Sequence, residues 1–244
     1  MEQECPYCEC KRIIKNGTTR HGKQNHKCKD CHRQFVSNPQ NQPIPESTKQ
    51  LVDKLMLERM SLRAIARVAG VSLQWVQSYV NSKSRTVEQQ VQVIPKKKVR
   101  LTLECDELWS FVGNKKYKVW VWLAIDRDTR EIVGVYIGNR DQDAAGGLWQ
   151  SLPSVYCLCA VCYSDFWQAY CCVLPQKRHR AVGKESGQTN HIERFNCTLR
   201  QRVARLVRKT LSFSKKLDNH IAAIWLFVHH YNSLIQSKLL IIPS

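Results

Sequence analysis

The stretch VRLTLECDELWSFV, residues 99–112, has the β-branched and aromatic content of a strand, and it carries the carboxylates of Asp106 and Glu107. VWVWLAI, residues 119–125, reads the same way. DRDTRE, residues 126–131, supplies a turn before a third run, IVGVYI, residues 132–137. Three such runs in succession predict an antiparallel meander. Further on, Asp141–Leu152 has helical composition, Tyr156–Tyr163 reads as a compact apolar strand, and Ile192, Phe195, Leu199, Val203 and Leu206 recur at helical spacing. Strands first and alternating helices afterwards give a mixed sheet with helices against it, an α/β domain over residues 99–244.

Upstream, two polar stretches divide the chain. SNPQNQPIP, residues 37–45, and SRTVEQQVQVIPKKK, residues 84–98, read as linkers that set off a segment 1–37 and a helical segment 46–83. The expectation is a multi-domain α/β protein with no solenoid repeat.

Charge narrows the partners. The 244 residues hold 38 Lys and Arg against 20 Asp and Glu, a formal charge of +18, which draws in polyanions; for a folded chain of this size that points to nucleic acid, ahead of an anionic membrane surface. The charge is uneven: residues 1–98 carry +10, residues 99–172 carry −2 and residues 173–244 carry +10. An acidic island between basic flanks suits an enzyme that holds divalent cations against phosphates, or is the ordinary surface of a core sheet. No apolar stretch follows Met1, and the longest apolar run, Ile221–Val228, is too short to span a bilayer, so a soluble intracellular protein is expected.

Cys5-Pro-Tyr-Cys8 and Cys28-Lys-Asp-Cys31 are two C-x2-C knuckles 19 residues apart, the arrangement of a four-thiolate zinc site. The intervening Ile13–His26, with Asn16-Gly17 as its turn, predicts a hairpin that brings the knuckles together. So short a segment builds no sufficient core, and zinc would supply its folding energy. Disulfides or a redox motif are the alternatives, disfavoured by the expected reducing compartment. Cys10, His26 and His32 are spare. Basic residues including Lys11, Arg12, Lys15 and Arg33 tilt the ribbon towards DNA. Cys157 and Cys159 face away from Cys162 on a strand and predict no second metal site.

SLRAIARVAGVSLQWVQSYV, residues 61–80, has a capping Ser61, a short helix, Gly70 at a turn and a second cap at Ser72. It reads as a helix-turn-helix whose second helix presents Gln74, Gln77, Ser78 and Asn81 to base edges, with Arg63 and Arg67 on phosphates. An ordinary helical hairpin is the alternative.

Three acids could form a site. Asp106 lies in the first core strand, Asp165 follows the apolar strand in VCYSDFW, and Glu193 starts an arginine-rich helix in NHIERFN. Each has a plainer explanation, as a surface acid, a helix cap or a charge at a helix N-terminus. Together they fit two-metal phosphodiester chemistry with Mg²⁺. Arg200, two turns after Glu193, shares its face and could clamp a phosphate; Arg194, Arg202, Arg205, Arg208 and Lys209 continue the basic helix. Asp126, Asp128, Asp141 and Asp143 are rivals that sit in turns or at a helix start, and Glu107 is another.

With these residues located, the chain resembles a transposase of the insertion-sequence-one family over nearly its full length. The resemblance is carried by the two C-x2-C pairs, the helix-turn-helix, LECDELWSFVG at 103–113, YSDFWQAY at 163–170 and QTNHIERFNCTLRQRVARLVRKTLSFS at 188–214. It implies a ribonuclease-H-like core over 99–244 and a catalytic triad of Asp106, Asp165 and Glu193 holding Mg²⁺ or Mn²⁺, with Arg200 as the additional basic residue. It further implies cleavage at mobile-element ends and joining of 3′ hydroxyls to target DNA by homo-oligomers in a prokaryotic, nucleoid-associated setting. A non-catalytic zinc-ribbon and helix-turn-helix regulator is the rival. A tyrosine recombinase using Tyr231 leaves the acids unexplained.

Overall fold

In the computed structural model, which describes residues 3–37, 43–96, 100–206 and 214–241, the two cysteine knuckles flank the first two strands of a three-stranded antiparallel sheet. Its strands are β1 (Ile13–Thr18), β2 (Gln24–Cys28) and β3 (Gln34–Val36). The hairpin between β1 and β2 turns at Thr19–Lys23, where the Gly22 N–H donates to Thr19 O, and not at Asn16-Gly17 as the sequence suggests. Gly17, at φ +68°, lies where the register between Lys15 and Thr18 shifts, so the Asn-Gly pair makes a bulge inside the strand. The chain divides into two compact units, Met1–Lys49 and Gln50–Ser244.

The boundary falls inside α1 (Glu46–Met56); from Gln50 on, α1, α2 (Leu62–Ala69) and α3 (Leu73–Thr86) bury Val52, Ile65, Ala66, Val76 and Val80 against one another. Both predicted caps form: Ser61 Oγ accepts from the Ala64 N–H and Ser72 Oγ from the Trp75 N–H. Gly70 ends α2 in the left-handed region at φ +64°, where a side chain would be strained.

The large sheet has the order β6-β5-β4-β7-β8, made of β4 (Thr102–Phe111), β5 (Lys118–Asp126), β6 (Ile132–Gly138), β7 (Val161–Ser164) and β8 (His179–Ala181). The predicted meander β4–β5–β6 is antiparallel, while β7 and β8 run parallel to β4. Alternation along β4 and β5 splits the core in two. Leu103, Cys105, Trp122 and Ala124 face α4 (Gln142–Ser151), α5 (Ser154–Cys159) and α6 (Gln168–Val173). Leu108, Val121, Leu123 and Ile125 face α7 (Asn190–Arg202) and α8 (Leu217–Ile241).

Further expectations need correction. Tyr156–Tyr163 is not one strand: α5 takes Tyr156–Cys159 and β7 begins at Val161. A short apolar run fits either element; here Cys159 Sγ donates to the Val155 carbonyl one turn back, and Tyr156 Oη reaches the buried Asp126 carboxylate at 2.6 Å. Cys157 and Cys159 are therefore helical, though they still join no metal-binding cluster among the described residues. Next, the helix carrying Ile192, Phe195 and Leu199 stops at Arg202, while Val203 and Leu206 are buried beyond its end. The Arg59 N–H donates to Arg202 O and the Arg202 guanidinium donates to Leu57 O, so α7 ends against the segment after α1. Arg205 is consequently not on that helix, and Arg208 and Lys209 lie outside the described residues. Last, the described part of the linker 84–98 is docked: Thr86 still belongs to α3, Val87, Val91 and Val93 pack on the core, and the Ile94 N–H donates to Glu131. Asp126 and Glu131, expected as turn acids, are buried and face Lys96 at 3.6 and 3.8 Å.

His220 on α8 is fully buried, within 3.3 Å of Ser214 Oγ. Burial, and then the Arg205 charge, lower its pKa to about 4. A folded-state value below the unfolded one makes the associated stability complete above about pH 6.5; it is lost as the pH falls from there towards 4, by up to roughly 3 kcal/mol. Urea unfolding at pH 7 and pH 4.5 should show a larger acid loss for the native chain than for His220→Gln. Equal losses would remove His220 from the acid response.

Candidate active site

β4 continues past the end of β7. Their parallel pairing stops at Glu104↔Tyr163, and just beyond it Asp106 on β4 meets Asp165, the residue after β7. Carboxylate oxygens of Asp106, Glu107 and Asp165 all lie within 4.8 Å of one another. This is the carboxyl end of a parallel strand pair, where ligands of open α/β sheets are met. Each side chain is separately held. Asn196 on α7 donates to Asp106 Oδ2 at 2.6 Å, and the Trp167 N–H donates to Asp165 Oδ1 at 3.0 Å. Burial, and then the neighbouring Glu107, push Asp106 up to about 7.

Because successive residues point to opposite faces, Asp106 faces α7 whereas Glu107 faces α4 and α6. Glu107 Oε1 accepts Arg140 Nε at 2.9 Å and Nη2 at 2.7 Å, and Oε2 accepts the Tyr170 hydroxyl at 2.9 Å. The Arg140 guanidinium lies between the Trp120 and Trp167 rings, 4.6 and 4.1 Å from their centroids. Burial raises the Glu107 pKa, a shift opposed by the Arg140 hydrogen bonds.

Two residues before Asp106, the buried Glu104 anchors the helix that carries Glu193. Its oxygens accept the N–H groups of His191 at 2.8 Å and Ile192 at 3.1 Å, His191 Nδ1 at 2.6 Å and Arg127 Nε at 2.9 Å. A carboxylate at the N-terminus of α7 meets the positive end of the helix dipole and its unpaired N–H groups. Arg127 also donates to Gln188, on the approach to α7, and lies over the Tyr163 ring. Arg127→Ala leaves Glu104 buried with less compensation and should cost roughly 3 kcal/mol in chemical denaturation. Arg127→Lys should recover only part of that, since a lysine cannot fork to both Glu104 and Gln188.

Glu193 stands outside the acid cluster. It lies one turn before Asn196 on α7, and its Oε1 accepts the Thr189 hydroxyl at 2.9 Å. Arg200, two turns further along α7, donates Nη2 to the Trp109 carbonyl of β4 at 3.2 Å. The structure thus brings Asp106 and Asp165 together and places Glu193 and Arg200 on the helix packed over them. Glu104, Arg127, Arg140, Tyr170 and Asn196 escaped sequence reading. Only for Glu104 and Glu107 was there a signal, carboxylates inside an apolar strand.

The acid cluster fits a hard divalent cation. All its donors are oxygens, the set Mg²⁺ and Mn²⁺ prefer, and Asn196 Oδ1 is buried beside Asp106 with no hydrogen-bond partner among the described residues. The cysteines fit zinc: Cys5–Cys31 and Cys8–Cys28 Sγ pairs are 3.6 Å apart, close to the edge of a tetrahedron with bonds of about 2.3 Å. N–H groups of Asp30 and Cys31 point at Cys28 Sγ, at 3.3 Å each, and the Cys31 one leads in lowering the Cys28 thiol to about 6. Cys10 Sγ also lies 3.6 Å from Cys28, whereas His26 is buried and stacks on Phe35.

Arg63, Arg67, Gln74, Gln77, Ser78 and Asn81 are all exposed. They do not form one open face. Arg63 and Gln77 border a cavity of about 410 Å³ shared with α8, and Asn81 Oδ1 accepts Asn219 Nδ2 of α8 at 3.1 Å.

The family model described as IS1 transposase matches residues 99–232. The insertion element iso-IS1n protein InsB of Shigella dysenteriae is 34% identical over 131 residues, 54% of this chain and 96% of that protein. The insertion element IS1 4 protein InsB of Escherichia coli K12 is 37% identical over 139 residues, 56% of this chain and 80% of that protein.

Proposed function

Since the chain belongs to the IS1 transposase family, we propose that it cuts DNA at the ends of a mobile element and joins the resulting 3′ hydroxyls to target DNA. The observation that carries this reading is the meeting of Asp106 and Asp165 at the end of the β4/β7 pair, beneath the helix that bears Glu193. The strand order, with an antiparallel meander followed by two parallel strands beside its first member, supports a ribonuclease-H-like core over 99–244.

Asp106, Asp165 and Glu193 would hold Mg²⁺ or Mn²⁺, and the bound cation would supply the charge that activates the attacking oxygen and stabilises the leaving one. The chain's own groups do the positioning. Asn196 holds the Asp106 carboxylate, the Trp167 N–H orients Asp165, and Glu104 fixes the N-terminal turn of α7 and with it Glu193. Arg200 lies on the same helix as a partner for a phosphate near the reacting centre.

The remainder of the chain is read as DNA recognition: a zinc ribbon over 1–37 with Cys5, Cys8, Cys28 and Cys31 as ligands, and a helix-turn-helix over 46–83. Gln74 and Ser78, one turn apart on α3, are its base-reading residues, and Arg67 a phosphate contact, with Gln77, Asn81 and Arg63 towards α8. No helix among the described residues is long and apolar enough to cross a membrane. The protein would work as a homo-oligomer on paired ends in the bacterial cytoplasm. Incubation with DNA carrying the flanking element ends and Mg²⁺ or Mn²⁺ tests the reading: metal-dependent nicking and joined products are expected. Tight binding with no cutting would make the chain a DNA-binding regulator.

A further inference from the structure

We propose that the tip of the β4–β5 hairpin is an arm that grips the phosphate backbone of duplex DNA about six base pairs from the cleaved bond; this rests on the reading that the acid cluster cuts DNA. Residues 99–172 are net acidic, yet three of their seven basic side chains, Lys115, Lys116 and Lys118, fall in this one turn around Tyr117. All four residues are exposed, Tyr117 by 68%. Two of the other basic residues, Arg127 and Arg140, are committed to Glu104 and Glu107. Lys115, Lys116 and Tyr117 have no side-chain hydrogen bond or ion pair among the described residues. Lysines with no carboxylate to meet, beside an exposed tyrosine hydroxyl, suit phosphate oxygens, which take point charges without reading sequence.

The arm is rigid and aimed. The last two β4–β5 pairs, Ser110↔Val119 and Phe111↔Lys118, run past the end of β6. The turn is closed by the Val112 N–H on Tyr117 O at 3.2 Å and the Lys116 N–H on Asn114 Oδ1 at 2.9 Å. Its flank is pinned by the Gly113 N–H on Ser214 O at 2.8 Å. Because Asp106 lies on the same strand, the tip is displaced from the acid cluster along β4 by roughly 20 Å, at about 3.3 Å per residue. With about 3.4 Å per nucleotide step, that distance spans about six base pairs.

The test is equilibrium binding of a duplex carrying the element end, from low to moderate salt, by native protein and by Lys115→Gln/Lys116→Gln, with thermal midpoints compared to confirm folding. The slope of log affinity against log salt should fall by about two, and affinity at physiological salt by on the order of tenfold or more. Phosphate ethylation about six base pairs from the cleaved bond should weaken native binding and leave the variant's unaffected. An unchanged slope and an unchanged ethylation pattern would overturn the proposal. The measurement reads binding alone, so a native protein that binds but fails to cut defeats the strand-transfer reading while the slope still decides the hairpin.

Discussion

Asp106→Asn and Asp165→Asn should each reduce strand cleavage by at least about a thousandfold, the scale on which a single electrostatic partner of a transition state acts. Both substitutions keep the shape and the hydrogen bonds from Asn196 and the Trp167 N–H while removing the charge that would hold a cation. For Asp106 the folded protein should tolerate the change well, since burial and the Glu107 charge already disfavour its ionised form. Affinity for end-carrying DNA should therefore stay near the native value. Glu193→Gln should behave like the aspartate variants in cleavage, although its side chain rests on Thr189 and outside the acid cluster. Calorimetric Mn²⁺ titration of the same proteins separates two cases. Lost cleavage with lost Mn²⁺ binding marks a metal-holding residue. Lost cleavage with intact Mn²⁺ binding in Glu193→Gln would move Glu193 from cation binding to orienting DNA.

The second large effect belongs to the cysteines. Cys28→Ser or Cys31→Ser should unfold the N-terminal ribbon, because a tetrathiolate zinc site contributes on the order of 10 kcal/mol and the three short strands offer little else. Strand β1 is exposed along nearly all its length, and the buried side chains in this sheet are His26 and Cys28. A chelator strong enough to remove zinc should reproduce the effect in the native chain, with faster proteolysis of residues 1–37 and weaker DNA binding. The large sheet has its own apolar core on both faces and should keep its melting transition. A ribbon that stays protease-resistant after zinc removal would show that its hairpin folds without metal.

Much of this was legible in the order of residues, for a local reason. Ser61, Gly70 and Ser72 act on backbone groups within three or four positions, so their caps and turn can be read directly. The meander was equally open, because alternation and a turn at Asp126–Glu131 are short-range patterns, and so were the C-x2-C knuckles. Asn16-Gly17 misled for the converse reason: a pair that favours a tight turn also favours a bulge, and pairing with β2 chose the bulge. The run from Tyr156 failed similarly, since its apolar residues suit either element and the buried contact with Asp126 settled it.

The residues alone thus determined which side chains could do chemistry: four paired thiols, three carboxylates in distinctive settings, and a basic chain around an acidic middle. Only the tertiary structure decided which of them meet. Asp106 and Asp165 come together because β7 ends beside β4, a pairing across 59 residues that no local pattern encodes. Glu107 joins them from the opposite face of the sheet, with Arg140 and Tyr170 arriving from separate elements to hold it. Glu104 and Asn196 set how α7 lies over that end of the sheet, through bonds spanning 87 and 90 positions. Electrostatics at such a site depend on distances of a few ångströms and on exclusion of water, and both come into being only when the chain packs.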